Sequence, residues 1–552
     1  MVMDPTPAED LPVRPQWEKE LAVWRRIRRY AVPRRMIEEA TERRLAGDWR
    51  GACAAADVDV EFDLDRVAER FGATGVERLA EDLRHFVPDL LRWHLPRADR
   101  GRTTLLDRQV IALGRYGDDD SPVFVTLHLV TPLYTNGSQR LRLTLGHDDE
   151  HELDYGPSMD WTRERHLFDD RFCGGLLRQA GGGPDRAPFL HPDGTPLADG
   201  ELPASDPGPD ADATTRAEWS MLLFERGDID AAFRAAGLEP RLDSERADAD
   251  FLPVIMGPGL HVDHEPSMEF DFPDRSSGQW GGEPRDSIGR LPMSPPLIAR
   301  AAVRAAERNG EAPLFDLGGH RGLVVHTTSG PGRPVVRLEG AYLPRVRRGR
   351  HHMADHHWRR STDVELVRRG LVSPDELHPL VRSALFPARP DADGPVGPPV
   401  PVPPEPVRVR CGDERHEVRP RGLELEIPHS AEEQQREDAL LAFGGAMSGC
   451  FAARRAWRTG EGPFPPELEE QRRELFLRIQ HGDLDGLPLK AGPAPEGDRH
   501  DGTLPPLAIR DTGSGDLVRA LVRAGARTDA DGVDPARLIE WHERADLDYL
   551  DD

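Results

Sequence analysis

Polar and apolar positions change period several times along this chain. Over residues 17–45, Ile37, Ala40 and Leu45 recur at roughly helical spacing, while Glu38, Glu39, Glu42, Arg43 and Arg44 supply a charged face. That pattern predicts an amphipathic helix, broken near Pro33. Residues 64–71 and 76–86 read as two more helices, and Pro88 opens a short one over 89–95 that Pro96 stops. The pattern then changes. Residues 109–116, 123–134 and 141–147 are rich in β-branched and apolar residues, and Leu141, Leu143 and Leu145 alternate with Arg140, Arg142 and Thr144. Alternation of that kind predicts strands with one buried face, and the turn Thr135-Asn136-Gly137-Ser138 predicts a hairpin between the last two.

A second helix-then-strand region follows a loop over 181–213. Residues 214–236 form its helical part, and strands are predicted at 260–263, 268–272, 323–327 and 335–343, with an alanine-rich helix at 296–308 between them. A short helix at 375–387 has proline stops. Eight prolines between Pro390 and Pro406 predict an extended spacer. Beyond it, 407–411, 414–418 and 423–427 read as a three-stranded meander, and 432–457 and 467–481 as helices.

One local device recurs. Gly47-Asp48, Gly227-Asp228, Gly482-Asp483 and Gly515-Asp516 each read as a helical hairpin. Glycine ends one helix in the left-handed conformation, and aspartate caps the next by accepting a backbone N–H bond. Five positions match between the first two copies: Gly47/Gly227, Asp48/Asp228, Ala52/Ala232, Ala55/Ala235 and Ala56/Ala236. Helix hairpin followed by sheet occurs in both halves, which suggests an internal duplication.

The expected class is multi-domain α+β, with helical hairpins alternating with small antiparallel sheets and a helical C-terminal region. The expected divisions are a tail over 1–15, a first helix-plus-sheet region over 16–180 and a linker over 181–213. A second helix-plus-strand region covers 214–388, a proline-rich linker 389–406, and a meander with helix 407–460. Helical repeats fill 461–552. A chain of 552 residues is too long for one core.

Within the last region, Gly502 and Pro505 stand three apart, Gly513 lies eight beyond Pro505, and Gly525-Ala526 follows twelve beyond Gly513. Leu517-Val518 and Leu521-Val522 fill paired aliphatic positions. These spacings resemble one ankyrin repeat, so residues 474–552 resemble degenerate ankyrin repeats. The threonine and histidine of the usual Thr-Pro-Leu-His box are missing from Leu504-Pro505-Pro506-Leu507. The resemblance implies contact with a protein partner through a concave surface, and no chemistry of its own.

Composition narrows the function. The formal net charge of −26 disfavours nucleic acid and anionic membranes as partners. Lys19 and Lys490 are the only lysines, a bias typical of a high-GC genome, so arginine richness is discounted as a nucleic-acid signal. No run of about 18 apolar residues exists to span a bilayer. Cys53, Cys173, Cys411 and Cys450 lie far apart with no Cys-x-x-Cys. That usage fits a reduced cytoplasmic thiol set better than a disulfide scaffold or a zinc finger.

Two stretches could carry chemistry. Arg345–Arg360 surrounds His351, His352, His356 and His357 with arginines, including Arg347, Arg348 and Arg350. On a helix His352 and His356 would share a face suited to zinc or nickel; the arginines instead suit an anion or an acidic partner. The ordinary alternative is a solvated basic loop that pairs with the protein's own carboxylates. The second stretch is His261-Val262-Asp263-His264-Glu265, where a strand would place His261, Asp263 and Glu265 on one face. A polar strand end is the commoner outcome. Asp118–Asp120 and 147–152 read as acidic turns, and no hydrolase, phosphate-loop or dinucleotide signature is found. No cofactor is expected. The leading expectation is a cytoplasmic interaction or scaffold protein acting through its ankyrin-like repeats. The alternative is an enzyme, such as a metal-dependent hydrolase, with a site between the two strand regions.

Overall fold

The computed structural model describes residues 15–71, 73–97, 103–117, 125–133, 138–146, 159–242, 288–309, 312–318, 321–326, 333–340, 352–400, 404–421, 424–443, 447–459 and 465–480. The tail at 1–14, the segment holding His261 and Asp263, the arginines Arg347, Arg348 and Arg350, and the ankyrin-like positions Gly502, Pro505, Gly513, Leu521 and Gly525 lie outside the described residues.

The described chain is α+β, with 15 helices and three small sheets. Two units share one plan. Each opens on a helical hairpin: Arg34–Leu45 with Trp49–Ala55, and Ala213–Arg226 with Ile229–Ala235. Gly47 and Gly227 make the corner at φ +80° and +90°, a left-handed conformation that costs glycine nothing. The following aspartates differ. Asp48 accepts a hydrogen bond from the Gly51 N–H at 2.8 Å, whereas the Asp228 side chain caps nothing, so only the first hairpin carries the cap expected of both. The second helix of each pair then ends on another left-handed residue, Asp57 or Gly237, which turns the chain into the sheet.

The first sheet contains β1 (Val58–Val60), β2 (Val110–Tyr116), β3 (Val125–Val130), β4 (Leu141–Gly146) and β5 (Met159–Asp160), in the order β1-β4-β3-β2-β5. The second contains β6 (Glu239–Arg241), β7 (Leu314–Gly318), β8 (Arg321–His326), β9 (Val335–Gly340) and β10 (His352–Met353), in the equivalent order β6-β9-β8-β7-β10. In both, three central strands form an antiparallel meander, of which β7 is not among the predicted strands, and the two outer strands pair parallel to it. The sheets are therefore mixed rather than purely antiparallel. The outer strands are two or three residues long and carry no alternation that a sequence could display. Even the irregularity recurs: the register shifts at Ala112/Gly114 in one sheet and at Asp316/Gly318 in the other.

Backbone bonds behind the sheets confirm the match. The Val87 N–H donates to the Phe168 carbonyl and the Ser294 N–H to the Trp358 carbonyl, both at 2.8 Å. Each donor is followed by a proline that opens a helix, Pro88–His94 or Pro295–Asn309. Asp170 bonds back to His85 as Arg360 does to Pro292. The two units are thus copies of one arrangement, in agreement with the weak repeat of the hairpins.

Their cores do not follow chain order. Trp17, at the start of the first helix (Pro15–Tyr30), packs in the second core with Phe233, Phe315 and Trp358. Val364, Leu366, Val381 and Phe386, after the second sheet, pack in the first core with Trp93 and Leu90. A buried ion pair fastens this exchange: Arg28 Nε donates to Asp363 Oδ1 at 2.5 Å, and the Trp93 indole N–H donates to Asp363 Oδ2 at 3.1 Å. The connection 181–213 buries Ala187, Phe189 and Leu190. The proline-rich stretch lies against the body, with the Gly397 N–H donating to the Asp375 carbonyl at 2.8 Å.

A third module holds the antiparallel meander β11 (Val407–Cys411), β12 (Glu414–Arg421) and β13 (Glu424–Glu426), close to the predicted strands. The helix predicted over 432–457 is two, Ala431–Ala442 and Gly449–Thr459, and Gly449 at φ +58° begins the second. Among the described residues no helix is long and apolar enough to cross a membrane.

Candidate metal centre at the junction of the two units

In each unit the short last strand runs into a 3-10 turn, Arg165–Leu167 in the first and Asp355–His357 in the second. The turns are equivalent. Leu167 N–H bonds to the Glu164 carbonyl as His357 N–H does to Ala354, both at 2.9 Å. Phe168 and Trp358 then bury themselves in their own cores. Anchored this way, the two turns meet. The Trp161 and His356 rings pack edge to face with centroids 5.7 Å apart, and Gln179 donates to the His356 carbonyl.

At the meeting point Glu164 of the first unit faces His356 and His357 of the second. His357 Nε2 lies 3.2 Å from Glu164 Oε1 and His356 Nε2 lies 3.6 Å from Glu164 Oε2. One atom from each residue, two imidazole nitrogens and a carboxylate oxygen, lies within 4.8 Å of the others. Four-coordinate zinc with bonds of about 2.0–2.1 Å separates its nitrogen and oxygen ligands by about 3.3–3.4 Å, close to the 3.2 Å and 3.6 Å between these imidazole nitrogens and the two oxygens of Glu164. His166 stands beside it, with Nε2 at 3.7 Å from Glu164 Oε2. The Nε2 atoms of His94, His166 and His356 are buried and make no hydrogen bond among the described residues. Buried imidazole nitrogens left without a bond are costly unless something else engages them.

Electrostatics favour the same ligand. Burial pushes the Glu164 carboxyl upward, but the neighbouring His356 and His357 outweigh it and hold the group well below the usual carboxylate range. Burial holds His166 and His357 down to about 4. At neutral pH Glu164 is an anionic carboxylate and His166 and His357 are neutral imidazoles, a protonation state that suits metal ligands. Arg304 lies near the centre, with Arg300 and Arg178 close to Arg304 or to each other. Arg300 is pushed down to about 10 by burial and by the nearby Arg304 and Arg178, and Arg304 also acts on His166 and His357. None of the three has a carboxylate partner among the described residues.

The sequence placed only part of this site. His352 and His356 do not share a helical face: His352 ends up in β10 and His356 in the 3-10 turn, because β10 pairs with β7. Arg359 and Arg360 pair with the protein's own carboxylates, Glu20 for the first and Glu225 and Glu365 for the second, as the ordinary reading of the stretch has it, although Arg360 is buried rather than solvated. The carboxylate missing from the histidine-rich stretch is Glu164, distant in sequence and preceding no recognisable motif. His357 was visible in the cluster, but Glu164 and His166 carried no signal of their own.

No family model, curated protein or solved structure matches the chain.

Proposed function

We propose that this chain is a metal-dependent hydrolase of anionic substrates, with its site at the junction of the two units. The observation that carries the reading is the approach of Glu164 to His356 and His357 at zinc-ligand spacing. Three protein ligands leave a fourth position for water, the pattern of catalytic rather than structural zinc. Glu164, His356 and His357 would hold the metal, which would supply a water acidified toward neutrality for attack on an ester. His166, beside Glu164, would take that water's proton and return it to the leaving oxygen as the ester bond breaks. Arg178, Arg300 and Arg304 select negative charge in the substrate.

The test is zinc binding by the full chain together with hydrolysis of p-nitrophenyl phosphate and phosphodiester. His357→Leu installs the residue that the first unit carries at the equivalent position, Leu167. We expect zinc affinity at this centre to fall at least tenfold and hydrolysis to vanish, with the circular dichroism spectrum unchanged. Wild-type zinc binding by H357L would overturn the reading. The partner-binding role implied by the ankyrin-like resemblance rests on residues 474–552. Deletion of 461–552 should then abolish a pull-down partner that the full chain retains.

A further inference from the structure

We infer that the third module is built around a structural zinc ion held by Cys411, His416, His429 and Cys450. Four side chains from four places in the module converge. Cys411 is the last residue of β11, and the Gly412-Asp413 turn brings β12 back so that His416 pairs opposite Val409. Val409 and Val418 are buried, so Cys411 and His416, alternating in phase with them, face the inside of the meander. His429 follows β13, in the bend before helix Ala431–Ala442. Cys450 lies in the first turn of helix Gly449–Thr459, fully buried.

The distances are those of a tetrahedron. Cys411 Sγ lies 3.5 Å from His429 Nε2, Cys450 Sγ lies 3.6 Å from His416 Nδ1, and the two imidazole nitrogens are 3.1 Å apart. With Zn–S of about 2.3 Å and Zn–N of about 2.0–2.1 Å, the expected separations are about 3.5–3.6 Å for sulfur to nitrogen and about 3.3–3.4 Å for nitrogen to nitrogen. One ligand atom from each residue falls within 4.8 Å of the other three. A disulfide would engage the two thiols and give no reason for two imidazoles to turn inward with them.

Two further observations point to a metal. Each histidine presents its second nitrogen to a carboxylate: His416 Nε2 lies 3.2 Å from Glu414 Oε2, and His429 Nδ1 lies 3.7 Å from Glu433 Oε2. Zinc-bound histidines have this outer partner, which fixes the ring and strengthens the ligand. Glu433 is itself held by the capping box with Ser430. The helix bearing Cys450 is also pressed onto Cys411. A Cβ built on Gly449 would sit 2.7 Å from Cys411 Sγ and 2.8 Å from its Cα, so only glycine lets that helix start approach.

Four protein ligands close the coordination sphere, so the ion has a structural role. The module needs one. Its core is small, with Val407, Val418, Leu425, Trp457 and Leu468 as the main buried side chains, and zinc ties the meander to its helix. The spacing explains why the sequence hid it. Four, twelve and twenty residues separate the successive ligands, and none forms a close Cys or His pair.

This site is independent of the junction centre, and the test keeps them apart. Zinc is measured by elemental analysis on the full chain carrying Glu164→Gln, which disables the junction. We expect one equivalent to remain. Replacement by cobalt should give a near-ultraviolet thiolate-to-cobalt charge-transfer band, which Cys411→Ala weakens. Glu414→Gln, an exposed change that spares the fold, should speed zinc release to a chelator about tenfold. A metal-free E164Q chain without the cobalt band, or an intact mass lower by two hydrogens from a Cys411–Cys450 disulfide, would overturn the inference. So would zinc release from E414Q at the parent rate.

Discussion

The two units have the same five-strand order, the same register shift and the same proline-led helix behind the sheet, yet they bury different chemistry. Where the first unit has Leu167, almost fully buried, the second has His357. Where the second has Ala354, the first has Glu164. At the hairpin corner the first unit exposes Leu45, while Glu225, two residues before Gly227 as Leu45 is before Gly47, is locked between Arg360 and Arg368. The backbone plan tolerates these exchanges because the strands and the helix-opening prolines define it. Of the differing side chains, Glu164 and His357 meet where the units touch. Divergence of two copies at their contact is thus a route to a mixed ligand set that neither copy holds alone.

The largest effect tests whether the copies are interlocked. Asp363 lies in the helix Thr362–Arg368 that follows the second sheet but pairs with Arg28 and Trp93 in the first core. Asp363→Ala leaves the Arg28 guanidinium buried without its partner, so unfolding free energy should fall by about 3–5 kcal/mol in urea titration. A loss under about 1 kcal/mol would mean that the units are held together elsewhere.

A smaller effect follows from Glu225, which has no carboxylate counterpart in the first unit. Burial pushes its carboxyl up, but Arg360 and Arg368 bring it down to about 2 overall. Its folded pKa is below the unfolded value of about 4.3, so its contribution is complete above that pH and is lost as the pH falls towards 2. Glu225→Gln should lower stability at pH 7 and flatten the stability curve between pH 4.5 and about 2, read by thermal melts across that window. An acid limb with wild-type slope would remove this pair from the list of differences.

The smallest effect sharpens the comparison of the hairpins. Asp48 caps its helix through Gly51, and Asp228 does not. Asp48→Ala should cost about 1 kcal/mol, and Asp228→Ala no more than a few tenths. Equal costs would show that the second aspartate acts in some other way.

Much of the architecture was written in local pattern. All the central strands except Leu314–Gly318 show alternation or β-branched runs, Gly47 and Gly227 mark their corners, and the third module's meander is legible to within a few residues at its strand ends. Those signals survive because helix and strand periodicity, chain reversal and proline each act over a few residues. The short parallel outer strands were not legible, since two or three residues carry no period. Neither were the candidate sites. His356 and His357 stood out as composition, but their carboxylate comes from the other unit. Cys411 and Cys450 looked like scattered thiols until the meander folded against its helix. By itself, then, the sequence determined the elements, the hairpins and the hint of a repeat. Only the tertiary structure decided which copy's side chains meet, because a ligand set depends on distances in space between residues that no local rule connects.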